Sequence, residues 1–225
     1  MRCFTTTALG VFVTALALTG CAGHAEPANT STSGSAHQEG GTVAPALLSS
    51  IALSKRLLDE SDLGEGYVRM PDQPKRHDDV TVTGCPALAQ LGDEAATGGG
   101  LTFPRQAKAS FTYAGGNSSL DLSEELYSDS EAKLSDGMSR VFEAMTSCPT
   151  YQLLVGGSPI TVTTQTATAP RLGDERWSQL LTFTTGGRST VVKQTAVRTG
   201  TVVVTVAGSP ALVDAHLARA VDKAG

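Results

Sequence analysis

The chain has 225 residues, a formal charge of −5, 17% charged residues and only 5% aromatics. That length suits one well-cored domain with appendages, and the acidic balance gives no basic footprint for nucleic acid, so no nucleic-acid partner is expected. The 24 glycines follow no triplet period and the four cysteines are too few for a densely stapled scaffold, which excludes collagen-like and disulfide-dense classes.

Met1 and Arg2 open a signal pattern: an uncharged run follows, with its apolar stretch at Leu9 to Leu18, and it ends in Leu18-Thr19-Gly20-Cys21. A charged start, an apolar stretch and small residues before the cleavage point are what a signal peptidase requires. The last four residues resemble a bacterial lipobox, in which the cysteine is acylated and becomes the first mature residue. Residues 1–20 therefore read as a lipoprotein signal peptide and Cys21 as the lipidation site. A permanent membrane anchor is the alternative, since the run nearly reaches the length that spans a bilayer. Threonines at 5, 6, 7, 14 and 19 count against it. Residues 21–46 are built from Gly, Ser, Thr, Ala and Pro without an apolar period, so they cannot bury enough surface to offset ordering. They read as a flexible lipid-anchored tether with a typical span of roughly 28 Å. The expected location is the outer face of the cell membrane, with the membrane as a partner through the lipid.

Cys3 leaves with the signal and Cys21 carries lipid, so Cys85 and Cys148 remain as an expected disulfide in an exported chain.

The folded domain is expected over 47–225. Leu47, Leu48, Ile51, Leu53, Leu57 and Leu58 form an apolar opening whose period fits helix or strand. Asp59 to Tyr67 reads as a turn-rich connection. Cys85-Pro86 starts a short helix with proline at its first position. Ala95 to Gly100 reads as a loop. Ala107, Ala109, Phe111 and Tyr113 alternate with polar residues, as do Leu120, Leu122 and Leu126, and Gly115-Gly116-Asn117 between them signals a hairpin.

The plainest helix runs from Asp129 to Ser147. Ser128 and Glu131 have capping-box spacing, Leu134, Met138, Val141, Phe142 and Met145 recur at helical intervals, and Pro149 stops it. Cys148 then falls on the apolar face, where Cys85 could meet it. Strand chemistry follows at Ile160 to Thr168, 176–185, 189–198 and 201–207, with Gly186-Gly187 and Thr199-Gly200 as turns. Ser209-Pro210 begins a terminal helix with Val213, Leu217, Ala220, Val221 and Ala224 on one stripe. Strand runs with a few helices and no regular βαβ alternation point to α+β, an antiparallel sheet with helices packed on one face.

No residue is assigned a catalytic or metal-binding role, and no cofactor is expected. Ser130 and Lys133 match S-x-x-K, but no Lys-Thr-Gly accompanies them and they lie on an amphipathic helix. His77, beside Asp78 and Asp79, lacks a second cluster to complete a metal site. His77 and His216 are the two histidines available to a dispersed Ser-His-Asp triad in the domain. Trp177, the only tryptophan, is expected in the core, with a place in a cleft at the sheet edge as the alternative. With nine aromatics left in the domain, a pocket of aliphatic and hydroxyl side chains is expected rather than one built on stacking.

Taken in order, Asp62-Leu63-Gly64-Glu65-Gly66-Tyr67, Cys85-Pro86-Ala87-Leu88, Cys148-Pro149, Leu172-Gly173-Asp174-Glu175 and Val197-Arg198-Thr199-Gly200-Thr201-Val202-Val203 resemble the PknH-like extracellular sensor domain family. That family occurs on actinobacterial receptor kinases and on stand-alone lipoproteins. The resemblance implies an antiparallel sheet with packed helices enclosing a cleft, and a role in binding an extracellular ligand. The function expected is thus a cell-envelope lipoprotein whose domain binds a ligand or an envelope partner, with its ligand-binding residues unassigned. An envelope hydrolase with a dispersed triad and a structural partner of a membrane complex are the alternatives.

Overall fold

The structure is a computed structural model, and it describes residues 46–71, 80–92, 103–114 and 122–225. The expected signal segment, Cys21, the tether up to residue 45, His77, the 95–100 loop and the Gly115-Gly116-Asn117 turn lie outside the described residues. Two short helices, α1 (Ser50–Ser54) and α2 (Glu60–Leu63), lead into strand β1 (Tyr67–Arg69). Strand β2 (Val80–Thr83) and helix α3 (Pro86–Ala89) precede the pair β3 (Gln106–Tyr113) and β4 (Leu122–Ser128). Helix α4 (Glu131–Ser147) is followed by β5 (Thr150–Val155), β6 (Ser158–Thr166), β7 (Glu175–Thr185), β8 (Arg188–Thr199), β9 (Val202–Gly208) and the terminal helix α5 (Pro210–Ala224).

The nine strands of the described residues join one antiparallel sheet in the order β1-β3-β4-β9-β8-β7-β6-β5-β2. This is the α+β arrangement expected from the sequence. The hairpin β3/β4 forms with Ala107 opposite Leu126, and Gly186-Gly187 and Thr199-Gly200 close the two turns of the meander.

The helices, however, divide between the two faces instead of sharing one. Successive strand residues point to opposite faces, and the burial of β9 follows from that. Val202, Val204 and Val206 pack with Leu53, Leu58, Leu63, Val213 and Leu217, so α1, α2 and α5 cover one face. Val203 packs with Leu134, Met138 and Phe142, so α4 covers the other. A Val-Val-Val run with no polar alternation is what a strand buried on both sides requires, and all five residues from Val202 to Val206 are buried.

The sequence reading also missed three strands and one cap. Strands β1 and β2 span three and four residues, too few to establish a period, while β5 alternates at Tyr151, Leu153 and Val155 but directly follows the helix stop at Pro149; β1 and β2 each pair with a longer neighbour, as Tyr67 opposite Tyr113 and Thr83 opposite Gln152 show. Within the expected turn Asp59 to Tyr67, Asp59 and Asp62 make a reciprocal capping box that turns Glu60–Leu63 into a helical turn. The box expected from Ser128 to Glu131 does not form, because Ser128 is the last residue of β4 and its hydroxyl accepts from the Leu48 N–H at 2.9 Å. Asp129 accepts from the Ser130 N–H at 2.8 Å instead.

Cys85 precedes α3 and Cys148 caps the C-terminal end of α4, and the two are bonded with Cα atoms 5.7 Å apart. Thr164 of β6 closes the same helix end, its hydroxyl lying 3.0 Å from both the Met145 and the Cys148 carbonyls. Those carbonyls would otherwise lack partners at a helix terminus. The crosslink spans 63 residues of chain, and in the loop-entropy account a closed loop of that size stabilises by roughly 4 kcal/mol. Reduction with dithiothreitol is therefore expected to lower the unfolding free energy by about 4 kcal/mol, read by urea titration with and without reductant.

Candidate functional site

A groove of about 450 Å³ opens on the α4 face of the sheet. Phe142, Glu143 and Thr146 of α4 form one wall, Thr166 to Ala169 the other, and Arg176 and Trp177 of β7 the end. The groove exists because β6 stops pairing at Thr166 while β7 begins at Glu175, so the start of β7 runs past its neighbour. The last ladder contact there is the Ala167 N–H to the Ser178 carbonyl at 2.9 Å.

Trp177 is half-buried and its ring lies 6.3 Å from that of Phe142. It does both things weighed from the sequence: it packs against the layer of Leu134, Met138, Phe142 and Val203 and lines the cleft. The hydroxyls of Thr146, Thr166 and Thr168 fit the expected pocket chemistry, but two aromatic rings stand among them. Low aromatic content could not reveal this, because it counts rings without locating them.

Two cross-strand rows lead from the groove over the same face. One runs Trp177, Ala196, Thr205, Glu125, Lys108, and the next runs Thr166, Gln179, Gln194, Ala207, Ser123, Ser110. The Gln179 amide donates to the Gln194 Oε1 at 2.7 Å and approaches the Met145 sulfur at 3.0 Å. Its Oε1, and the Oγ1 of Thr205, are buried without a hydrogen-bond partner among the described residues. Buried polar atoms are normally paired by protein or water, so this row keeps acceptor capacity next to the groove. Lys108 pairs with Glu125 at 2.6 Å, and the Tyr127 hydroxyl donates to the other oxygen of Glu125. Polar residues inside strand runs were legible from the sequence, but their common face needed the register.

The motif residues behind the family resemblance sit elsewhere and do structural work. Arg198 is 8% exposed, donates to Glu175 Oε2 at 2.9 Å and to the Gly200 carbonyl at 3.0 Å, and lies 3.4 Å from Asp174. Asp174 in turn accepts from the Gly200 N–H at 2.8 Å. Gly173 (φ 60°) lets the chain pass so close that a Cβ there would strike the Arg198 carbonyl and the Val197 side chain. Gly66 has φ 90°, and a Cβ there would meet the Tyr113 ring at 2.5 Å. These glycines buy close approach rather than a ligand site.

A second ion cluster joins α2 to α5. Lys223 reaches Asp59 at 2.7 Å and also binds Asp62, while Arg219 donates to Asp62 at 2.9 Å. The Lys223 hydrogen bond, with help from Ser61, holds the Asp59 carboxyl well below its ordinary value. Burial raises Asp62, but Lys223, the Asp59 N–H and Arg219 outweigh it and the net shift is downward. Arg198 likewise lowers Glu175.

His216 is half-buried on α5, and no hydrogen bond joins it to a serine or a carboxylate among the described residues. Lys133 is 69% exposed and 3.6 Å from Asp129, a solvated position on α4. Among the described residues, no group of three or more His, Cys, Asp or Glu could hold a metal, and no helix is long and apolar enough to cross a membrane.

Neither a protein-family model nor a curated protein matches the sequence. In the solved structures, the fold is similar to the crystal structure of the extracellular domain of PknH from Mycobacterium tuberculosis, with a TM-score of 0.54 and 16% identity. The match covers 80% of this chain and 97% of that one. The fold is therefore an α+β sheet domain similar in architecture to that extracellular domain. At this identity the likeness carries the architecture and no residue roles.

Two outcomes follow. Gly173→Ala is expected to cost roughly 3 kcal/mol, from left-handed strain plus overpacking, whereas Gly186→Ala, with open space around its Cβ position, pays the strain alone; chemical denaturation of both variants reads the difference. Asp59, Asp62 and Glu175 have depressed folded values, so their stabilisation is present above the ordinary values of 3.8 to 4.5 and is lost progressively as pH falls below those values toward the depressed ones. Melting temperature should drop between pH 5 and pH 3, and Lys223→Ala should make that drop smaller.

Proposed function

We propose that this protein is a lipid-anchored, extracytoplasmic sensor-like domain that binds a ligand or envelope partner in the groove beside α4, and that it is not itself an enzyme. The observation that carries the reading is the groove itself: Trp177 and Phe142 give it an apolar wall, three threonines give it hydroxyls, and the row behind it holds the unpartnered Gln179 acceptor. A concave, mostly apolar site with a few convergent polar groups is the general form of a small-ligand pocket. Arg176 and Glu143 contribute one charge of each sign, which favours a neutral or zwitterionic ligand over a polyanion.

The extracytoplasmic placement draws support from three features. They are the lipobox ending in Cys21, the Cys85–Cys148 crosslink and the fold shared with an extracellular domain. Acylated Cys21 anchors the chain to the outer face of the membrane. The tether of 21–46 holds the domain off the surface, and the chain carries no basic excess that would draw it onto anionic lipid.

Mass spectrometry of the protein extracted from membranes tests both halves. The expected result is a mature chain beginning at acylated Cys21, with a non-covalent adduct that is lost when Thr146→Trp fills the groove. An intact, unmodified residue 1–20 segment overturns the anchoring, and an adduct that survives Thr146→Trp overturns the groove.

A further inference from the structure

Glu124 lies in the middle of β4, on the face covered by α1, α2 and α5. Its strand neighbours on that face are Ala109 and Val206, and all three are 0% exposed. Around them Leu57, Leu58, Leu63, Leu126 and Leu217 form an apolar layer. The carboxyl makes one hydrogen bond, accepting from the Leu58 N–H at 2.6 Å, and its Oε1 has no partner among the described residues. That bond ties the backbone between α1 and α2 to the middle of β4.

We propose that Glu124 is a protonation-controlled latch for the leading segment Leu57–Leu63, holding it on the sheet when neutral and loosening it when ionised. A buried carboxylate without an ion pair is costly, and opening the segment exposes this one to water. The charges that act on the site are Asp62 from α2, Arg69 from β1 and Lys223 from α5, with Asp59 and Arg219 bound to Lys223 and Asp62 beyond them and Glu60 accepting from the Arg69 N–H. Lys223 and Arg219 are already engaged by Asp59 and Asp62, so neither cation closes on Glu124. The strands on either side present only Ala109 and Val206 to it.

Burial pushes the carboxyl up to about 7, against the Leu58 N–H, Lys223 and Arg69, which pull it down. A folded value raised above the ordinary 4.5 means that the Glu124 contribution to the hold is complete below pH 4.5. The hold weakens as pH rises from 4.5 to 7 and is then constant. Asp59 and Asp62 are ionised throughout that interval and add no slope of their own.

Hydrogen exchange by mass spectrometry on the full chain and on Glu124→Gln, from pH 5 to pH 8 and corrected for intrinsic rate, reads the latch. In the wild-type chain, opening of the peptide over residues 53–63 should increase on the order of thirtyfold or more across that range. Glu124→Gln should show no such slope, and a β8–β9 peptide should stay protected in both. A flat wild-type profile, an equal slope in Glu124→Gln, or the same slope in the β8–β9 peptide overturns the proposal. Should Glu124→Gln fail to fold, the carbon-13 titration of the Glu124 carboxyl in the wild-type chain decides: a midpoint near 7 supports the latch and one below 5 overturns it.

Discussion

Burial of β9 on both sides is the constraint from which the rest of the architecture follows. Val202, Val203, Val204, Thr205 and Val206 leave no solvent face, so the chain must supply an apolar layer above and below. It does so with helices that come from opposite ends of the domain. The leading helices and α5 supply one layer, and α4 supplies the other. At about 25 cal/mol per Å² of apolar surface, burial on both sides roughly doubles the number of residues that contribute relative to a strand with one solvent face. The outer strands then add to a centre that is already stable.

The two layers differ in what they leave open. On the α5 face the covering is completed by the ions of Asp59, Asp62, Arg219 and Lys223, and the polar group beneath it is Glu124. On the α4 face one long helix, with the short α3 packed beside it, crosses a wide sheet, and its C-terminal half stands off from the start of β7 to make the groove. The disulfide fixes the far end of that helix to α3, and Thr164 satisfies its last carbonyls. A groove between an anchored helix and a sheet keeps its shape without a ligand, which lowers the ordering cost of binding.

The sequence made some of this legible for identifiable reasons. Long elements with a strong period, α4 and α5 and the three strands of the meander, stand where the pattern puts them, and the glycine pairs mark their turns. Cys85 and Cys148 were paired by counting, and the structure joins them. What stayed hidden depends on register or on distant partners. The strands β1 and β2 are too short to carry a period, the Ser128 hydroxyl was taken by Leu48, and the placement of helices on two faces was written only in the unbroken valine run. The motifs that suggested a sensor domain prove to be a clamp around Arg198 and close-packed glycines, which explains how they can mark a fold while naming no ligand. The groove residues Phe142, Thr146, Thr166 and Trp177 come from three elements and share no sequence pattern.

The division of β9 between a closed face and a groove face can be read with one probe, since Trp177 is the only tryptophan. Val203 and Val204 are adjacent, 0% and 3% exposed, and belong to different layers. The measurement is the native-state fluorescence of Trp177 in Val203→Ala and Val204→Ala, alongside their stabilities. Both substitutions should destabilise the domain, but only Val203→Ala should shift Trp177 emission. Equal shifts in both, or a shift confined to Val204→Ala, would contradict the two-layer account.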